Sequence, residues 1–231
     1  LAFHFDGFSR ENKNNLDISG DAIDAARAQV GQPGLVVTDN TNGFVKNTDS
    51  DEISATAGFS WVTDSGFFGF SYNVHDREYG TPPEGSDGAE QARIEMEHKK
   101  LDLKSEWRFS EGFIEEIRSK LSFTDYQHNE GNEALFKKDT FEGRIEMPHR
   151  SIGNVDGVFG VQVVSSMFSA EKTEDNTYSV PVTKSRNFSA FVQESFDIGV
   201  TDAQIGLRIE QATVDSHNTK VSESTFTPIS I

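Results

Sequence analysis

The chain has 231 residues, no cysteine, and 21 Lys plus Arg against 38 Asp plus Glu, for a net charge of −17 at pH 7. That balance excludes a nucleic-acid binder, which needs a basic face, and the missing thiols exclude disulfides and thiolate metal sites. No apolar run of about 18 residues exists, so no transmembrane helix is encoded; a barrel stays open, because its strands show lipid only every second residue.

In chain order, strand-like runs are joined alternately by short and long connections. Residues 1–9, opening on Leu1-Ala2-Phe3-His4-Phe5, read as the middle of a strand, so the chain is expected to be a fragment of a longer protein. A polar stretch over 10–52 follows. Within it, 21–30 (DAIDAARAQV) carries good helix formers ahead of Gly31 as a stop, and is the one helix expected. The runs 53–63 and 66–77 pair across the tight turn Thr63-Asp64-Ser65-Gly66. Ala55, Ala57, Phe59 and Trp61 then meet Phe68, Phe70, Tyr72 and Val74. After a polar stretch at 78–93, the run 94–109 sets Leu101, Leu103, Trp107 and Phe109 against Asp102, Lys104, Glu106 and Arg108.

Ser110-Glu111-Gly112 turns the chain into 113–127, and a further polar stretch covers 128–138. Over 139–149, Phe141, Gly143, Ile145 and Met147 alternate with Glu142, Arg144 and Glu146. A tight link at 150–154 leads to 155–169, where Val155, Gly157, Phe159, Val161, Val163 and Met167 share a face. Beyond a polar stretch at 170–186, residues 187–198 align Phe188, Ala190, Val192, Phe196 and Ile198, interrupted by Glu194. The turn 199–202 opens 203–215, where Ala203, Ile205, Leu207 and Ile209 alternate with Gln204, Gly206, Arg208 and Glu210.

Several runs reach 14 to 16 residues. Sandwich strands typically have about 5–6, and a tilted strand crosses lipid in about 9–11. The apolar set is expected to face lipid and the charged set a wide, wet lumen. Aromatics gather at the short links as an interfacial girdle: Trp61, Phe67, Phe68, Trp107, Phe109, Phe113 and Phe196. Short turns on one rim and long loops on the other match the two sides of an outer-membrane barrel. The competing reading is a soluble antiparallel sheet with one solvated face. About nine strands are expected, an odd number that a complete even-stranded barrel does not have.

A family likeness rests on an ordered series of segments. These are Phe5-Asp6-Gly7-Phe8-Ser9-Arg10, the glycine-aromatic strand from Gly66-Phe67-Phe68-Gly69-Phe70 into Tyr79-Gly80-Thr81-Pro82, the stretch Arg93-Ile94-Glu95-Met96 through Glu106, and Phe123-Thr124-Asp125-Tyr126-Gln127-His128-Asn129-Glu130 followed by Glu142-Gly143-Arg144-Ile145-Glu146. Together they resemble TonB-dependent outer-membrane receptors, nearest the subgroup that includes zinc-uptake receptors, over most of 1–215. The resemblance implies a Gram-negative outer-membrane location and a barrel of about 22 strands around a plug. It also implies capture of a scarce nutrient and import energised by the TonB–ExbB–ExbD complex through that plug. The zinc-type pattern is broken where a His-rich loop is expected, because 83–92 (PEGSDGAEQA) contains no histidine.

The expected fold is therefore all-β, an antiparallel transmembrane β-barrel segment with 1–231 as part of the wall and the plug and C-terminal strands absent. Lipid and a small ligand are the expected partners. Tyr79, Tyr126 and Tyr178 are ligand-binding candidates on the extracellular loops, each offering a ring and a hydroxyl to an organic chelate. His75, Asp76, His98, Asp125 and His128 are metal candidates, since imidazole with carboxylate suits zinc and related ions. No resident cofactor is expected; zinc or a ferric chelate would be cargo. No nucleophile motif, phosphate loop or HExxH occurs, so no enzymatic role is expected. A porin or adhesin barrel without TonB coupling and a soluble β-sheet binding module are the alternatives.

Overall fold

The computed structural model describes residues 1–13, 16–17, 44–45, 47–81, 92–131, 133–198, 201–217 and 224–230, and the helix expected at 21–30 lies outside them. Among the described residues every regular element is a strand. Nine are long: β1 (Ala2–Asn12), β4 (Ser50–Thr63), β5 (Gly66–Gly80), β6 (Arg93–Arg108), β7 (Glu116–Glu130), β8 (Ala134–Ile152), β9 (Val155–Lys172), β10 (Tyr178–Ile198) and β11 (Thr201–Ser216). The rest are short: β2 (Leu16–Asp17), β3 (Phe44–Val45), β12 (Ser224–Phe226) and β13 (Ile229–Ser230). One 11-stranded sheet runs β1-β4-β5-β6-β7-β8-β9-β10-β11-β12, with β13 also on β11, while β2 pairs with β3 apart from it. All its pairings are antiparallel, so it is an up-and-down meander. The count exceeds the expected nine because β12 and β13 are too short to show any alternation.

Side chains of directly paired residues point to the same side of a sheet, so the register sorts the chain into two faces. One row crosses all nine long strands as Phe3, Phe59, Phe70, Leu103, Leu121, Gly143, Val163, Phe188 and Gln211. Its neighbour on the opposite face reads His4, Gly58, Ser71, Asp102, Ser122, Glu142, Val164, Asn187 and Ala212. Along β4 the polar face is the more sheltered one, as on the inside of a curved wall. Among the described residues Ala170 is the one buried hydrophobic side chain, whereas Phe3 is 67% and Phe188 55% exposed. The sheet is a single layer, and no described residue covers its apolar face. Contiguous apolar surface of that extent marks a membrane or protein contact.

Two-residue links join β4 to β5 and β8 to β9 on the short-turn rim, whereas 109–115 joins β6 to β7, whose ladder begins at Glu116 and not at the expected residue 113. Gly153 takes φ 68° as the first residue between Ile152 and Val155, the position where a II′ hairpin turn requires glycine. Trp61 and Trp107 pack edge-to-face at 6.1 Å on the apolar side of this rim. Phe67 departs from the expected girdle. It pairs with Glu106 on the charged face and lies under Lys104, its ring centroid 5.6 Å from Nζ, because it follows the turn one residue out of phase with Phe68.

The opposite rim differs from expectation in loop length. β7 continues to Glu130 and β8 begins at Ala134, so 128–138 is almost entirely strand; β9 and β10 likewise consume most of 170–186. These strand ends carry polar residues on both faces, which erases the alternation while the hydrogen-bond ladder goes on. The outer face records the change: after the row Leu101, Phe123, Phe141 comes Lys99, Asp125, Asp139, Met167, Lys184. Strands therefore extend past the apolar band on the long-loop side.

Three strand ends are clamped on that rim. Arg93 reaches Asp49 (Nη1 to Oδ2, 2.7 Å) and Glu78, while Asn47 Nδ2 donates to the carbonyls of Thr81 (2.7 Å) and Ala92 (3.0 Å). Bonds to Glu78 and Asp49 hold the Arg93 guanidinium above its already high ordinary pKa, so it is always charged. Arg93→Ala is expected to cost about 1 kcal/mol, since these side chains remain partly wet. Amide exchange at Gly80 and Thr81 should then quicken about fivefold by mass spectrometry.

Candidate functional site

The strand ends beyond the apolar band place a belt of rings on the inner face. His75 of β5 pairs with His98 of β6, and His98 with Tyr126 of β7. One row further out, Met96 pairs with His128, and His128 with Phe136 of β8. The rings touch in two groups, Phe8 with His75 and then His98 through Phe136, which the His75–His98 pairing sets side by side. Phe8 and His75 lie 6.2 Å apart, His98 and Tyr126 6.2 Å, Tyr126 and His128 5.6 Å, and His128 stacks on Phe136 at 4.5 Å.

Side-chain partners orient His75, Tyr126 and His128. His75 Nε2 meets Glu52 Oε1 at 2.8 Å. Burial foremost, then Tyr79 and Glu130, keep the Tyr126 phenol protonated by pushing its pKa up. The phenol therefore donates to His128 Nδ1 (3.0 Å), which turns Nε2 toward Glu130 at 3.5 Å. Burial, then the neighbouring His75 and Lys100, hold His98 below the ordinary histidine pKa. His98 is thus a neutral imidazole with a free lone pair at neutral pH.

Five of the eight sequence candidates share this face: His75, His98, Tyr126, His128 and Tyr79. Tyr79 lies two rows beyond His75, with Arg77 between them and its Cζ 4.8 Å from the Tyr79 ring centroid. All three tyrosines expected on loops lie in strands instead. Asp76 and Asp125 point to the outer face, because each is an odd step from its histidine or tyrosine neighbour and strand side chains alternate. Tyr178 opens β10 opposite Glu171, beside a register shift, and is 50% exposed. It is separated from the belt by β9. Among the described residues no three His, Asp or Glu side chains form a metal-binding group. Phe8, Glu52 and Phe136 were not candidates from sequence. Counting the period of two outward from Phe141 or Ala57 past the apparent loop boundary would have placed Phe136 and Glu52 on faces.

A second cluster lies deeper on the same face. Gln162 Oε1 accepts from Arg144 (3.1 Å) and Arg208 (3.3 Å), its amide donates to Glu142 (3.0 Å), and Arg144 covers the Phe191 ring at 4.3 Å. Every charge in it has a partner, which makes it a rigid wall lining.

No protein-family model matches the chain. Among solved structures it is similar to the copper transporter OprC, with a TM-score of 0.69 and 12% identity over 98% of this chain and 37% of that one. It is also similar to the FrpB iron transporter from Neisseria meningitidis (F3-3 variant), at 0.73 and 12% over 97% and 39%. The alcaligin outer-membrane receptor FauA from Bordetella pertussis gives 0.56 and 13% over 78% and 31%. At these identities the likeness establishes the fold: the chain has the antiparallel barrel architecture of these transporters. It spans less than two-fifths of the length of each.

Proposed function

We propose that this chain is part of the wall of a TonB-dependent outer-membrane receptor that captures a metal ion or metal chelate on its long-loop side for energised import. One observation carries the reading: a belt of imidazole, phenol and phenyl rings on the inner face, beyond an outward apolar band. In that position a ligand arriving from outside meets it before reaching the charged lumen. The sequence likeness to receptors of this kind and the fold shared with metal and siderophore transport proteins support the same reading. Energy coupling through the TonB–ExbB–ExbD complex would act on a plug outside these residues.

The belt offers two modes of capture. Neutral His98 with His75 supplies nitrogen donors of the kind zinc prefers, with further ligands needed from beyond the described residues. Alternatively, Tyr126, His128 and Phe136 supply ring faces and hydrogen bonds for an organic chelate.

Calorimetric titration of the full-length protein in detergent, with free zinc and with ferric siderophores, separates them. His98→Ala is expected to weaken binding about tenfold to a hundredfold, and Asp125→Ala, on the opposite face, to leave it unchanged. Saturable zinc binding lost in His75→Ala and His98→Ala assigns an ion. Binding of a chelate alone, weakened by Tyr126→Ala, assigns a chelate. Indifference of every inner-face variant, or silence with all ligands, overturns the receptor reading in favour of a passive barrel.

The pH dependence follows from His98. Its folded pKa is lowered, so zinc capture through it should survive as pH falls through the ordinary histidine value of about 6.5 and fail only at more acidic pH. For the same reason His98 subtracts from stability as pH falls through its unfolded value.

A further inference from the structure

The outer face carries a groove that transport leaves unused. Leu101, Phe123 and Phe141 floor a space of about 480 Å³, and Lys99, Asp125, Asp139 and Lys184 edge it. The register shows why it is amphipathic: its floor is the last apolar row and its edge the first charged row. It therefore straddles the level at which acyl chains give way to headgroups, on the long-loop side.

The edge charges are poorly used by the protein itself. Among the described residues, the side chains of Asp125, Asp139 and Lys184 make no hydrogen bond or ion pair. Lys99 has a 3.6 Å contact with Glu97, both about half exposed, which contributes little. Asp125 directly faces Asp139 across β7 and β8, a like-charge pairing that destabilises a sheet on its own. Along the row the order is Lys99, Asp125, Asp139, Met167, Lys184. The two lysines stand four strand spacings apart, about 19 Å at ~4.8 Å each, before their flexible arms lean inward.

We propose that this groove binds a lipid whose headgroup carries two separated phosphates, with its acyl chains on Phe123 and Phe141. The phosphates sit on Lys99 and Lys184, and Asp125 and Asp139 accept hydrogen bonds from hydroxyls between them. A free anion would have no use for the aromatic floor, and a headgroup with one phosphate would leave one lysine unmatched. The proposal rests on the membrane reading above, which requires lipid at this face.

The test uses the full-length protein inserted into phosphatidylcholine vesicles doped with either bisphosphoryl or monophosphoryl lipid A. Lipid retained after gentle extraction is counted by native mass spectrometry. Wild type is expected to retain the bisphosphoryl form preferentially. Lys99→Ala with Lys184→Ala should cut that retention about tenfold, and Lys137→Ala, on the same face outside the groove, should not. Inorganic phosphate should not displace the lipid. Equal retention of both lipids, an unaffected double variant, or displacement by phosphate overturns the proposal while leaving the membrane reading intact. Failure of wild type to insert overturns both.

Discussion

Leu121→Arg is expected to prevent stable assembly of the barrel, while Ser122→Arg, the next residue of the same strand, is expected to be tolerated. Leu121 pairs with Leu103 and Gly143 in the middle of the apolar band, and its Cδ2 lies over the glycine, 3.1 Å from where a Cβ would stand. Arginine near a bilayer midplane costs about 2–4 kcal/mol in a transmembrane barrel, and the lost leucine packing adds to that. Ser122 faces the other way, between Asp102 and Glu142, where a guanidinium meets two carboxylates and water, an exchange worth about 0–1 kcal/mol. Both variants would be folded into vesicles, and the fraction resisting heat unfolding read on a gel. Similar behaviour of the pair would sink the assignment of the apolar face to lipid. A soluble sheet with that face in water would accept arginine at 121 readily.

The contrast also indicates how much the sequence revealed. Where one face meets an apolar medium, alternation is enforced by burial, and Leu101 to Phe109 or Val155 to Val163 announce both strand and face. Where a strand leaves that medium, both faces are wet and no residue type is selected by side. The ends of β7 and β8 therefore read as loop, although Tyr126, His128 and Phe136 lie in a regular ladder. The ring belt was legible as a set of unusual residues but not as a surface. His75 and Asp76 looked like one metal-binding pair, yet a period of two places them on opposite sides. Register, which depends on turn length and bulges rather than composition, decides which residues of neighbouring strands meet. The pairing of His75 with His98 could not be read from their separation in the chain. Glu194 shows the same limit from the other side. In sequence it is a defect in an apolar run; its partner is two strands away.

That partner sets the second large effect: Gly157→Val is expected to destabilise the barrel by about 2–3 kcal/mol, nearly the range for breaking a buried ion pair but discounted because Glu194 stays about a third exposed. Glu194 reaches across Gly157 to His149, with its Oε2 3.1 Å from Nε2. A Cβ on residue 157 would collide with the Glu194 carboxylate and stand 2.7 Å from His149 Nε2. His149 is 5% exposed, donates from Nδ1 to the Arg150 carbonyl (2.9 Å), and is covered by Phe113 stacked at 5.1 Å and 8°. Phe113 continues onto Phe159 at 6.4 Å. Glycine at 157 thus lets an acid and an imidazole satisfy each other on an otherwise apolar face, under an aromatic lid that fastens the β6–β7 connection. Denaturant unfolding in lipid vesicles would measure the loss. The causal atom can be isolated with Gly157→Ala and Glu194→Ala singly and together. If the collision is with the carboxylate, removing it relieves the alanine, and the double variant should be less destabilised than the sum by at least about 1 kcal/mol. Additivity within about 0.5 kcal/mol would show that Gly157 acts through its backbone alone, and the account of Glu194 as a bridged residue would fall with it.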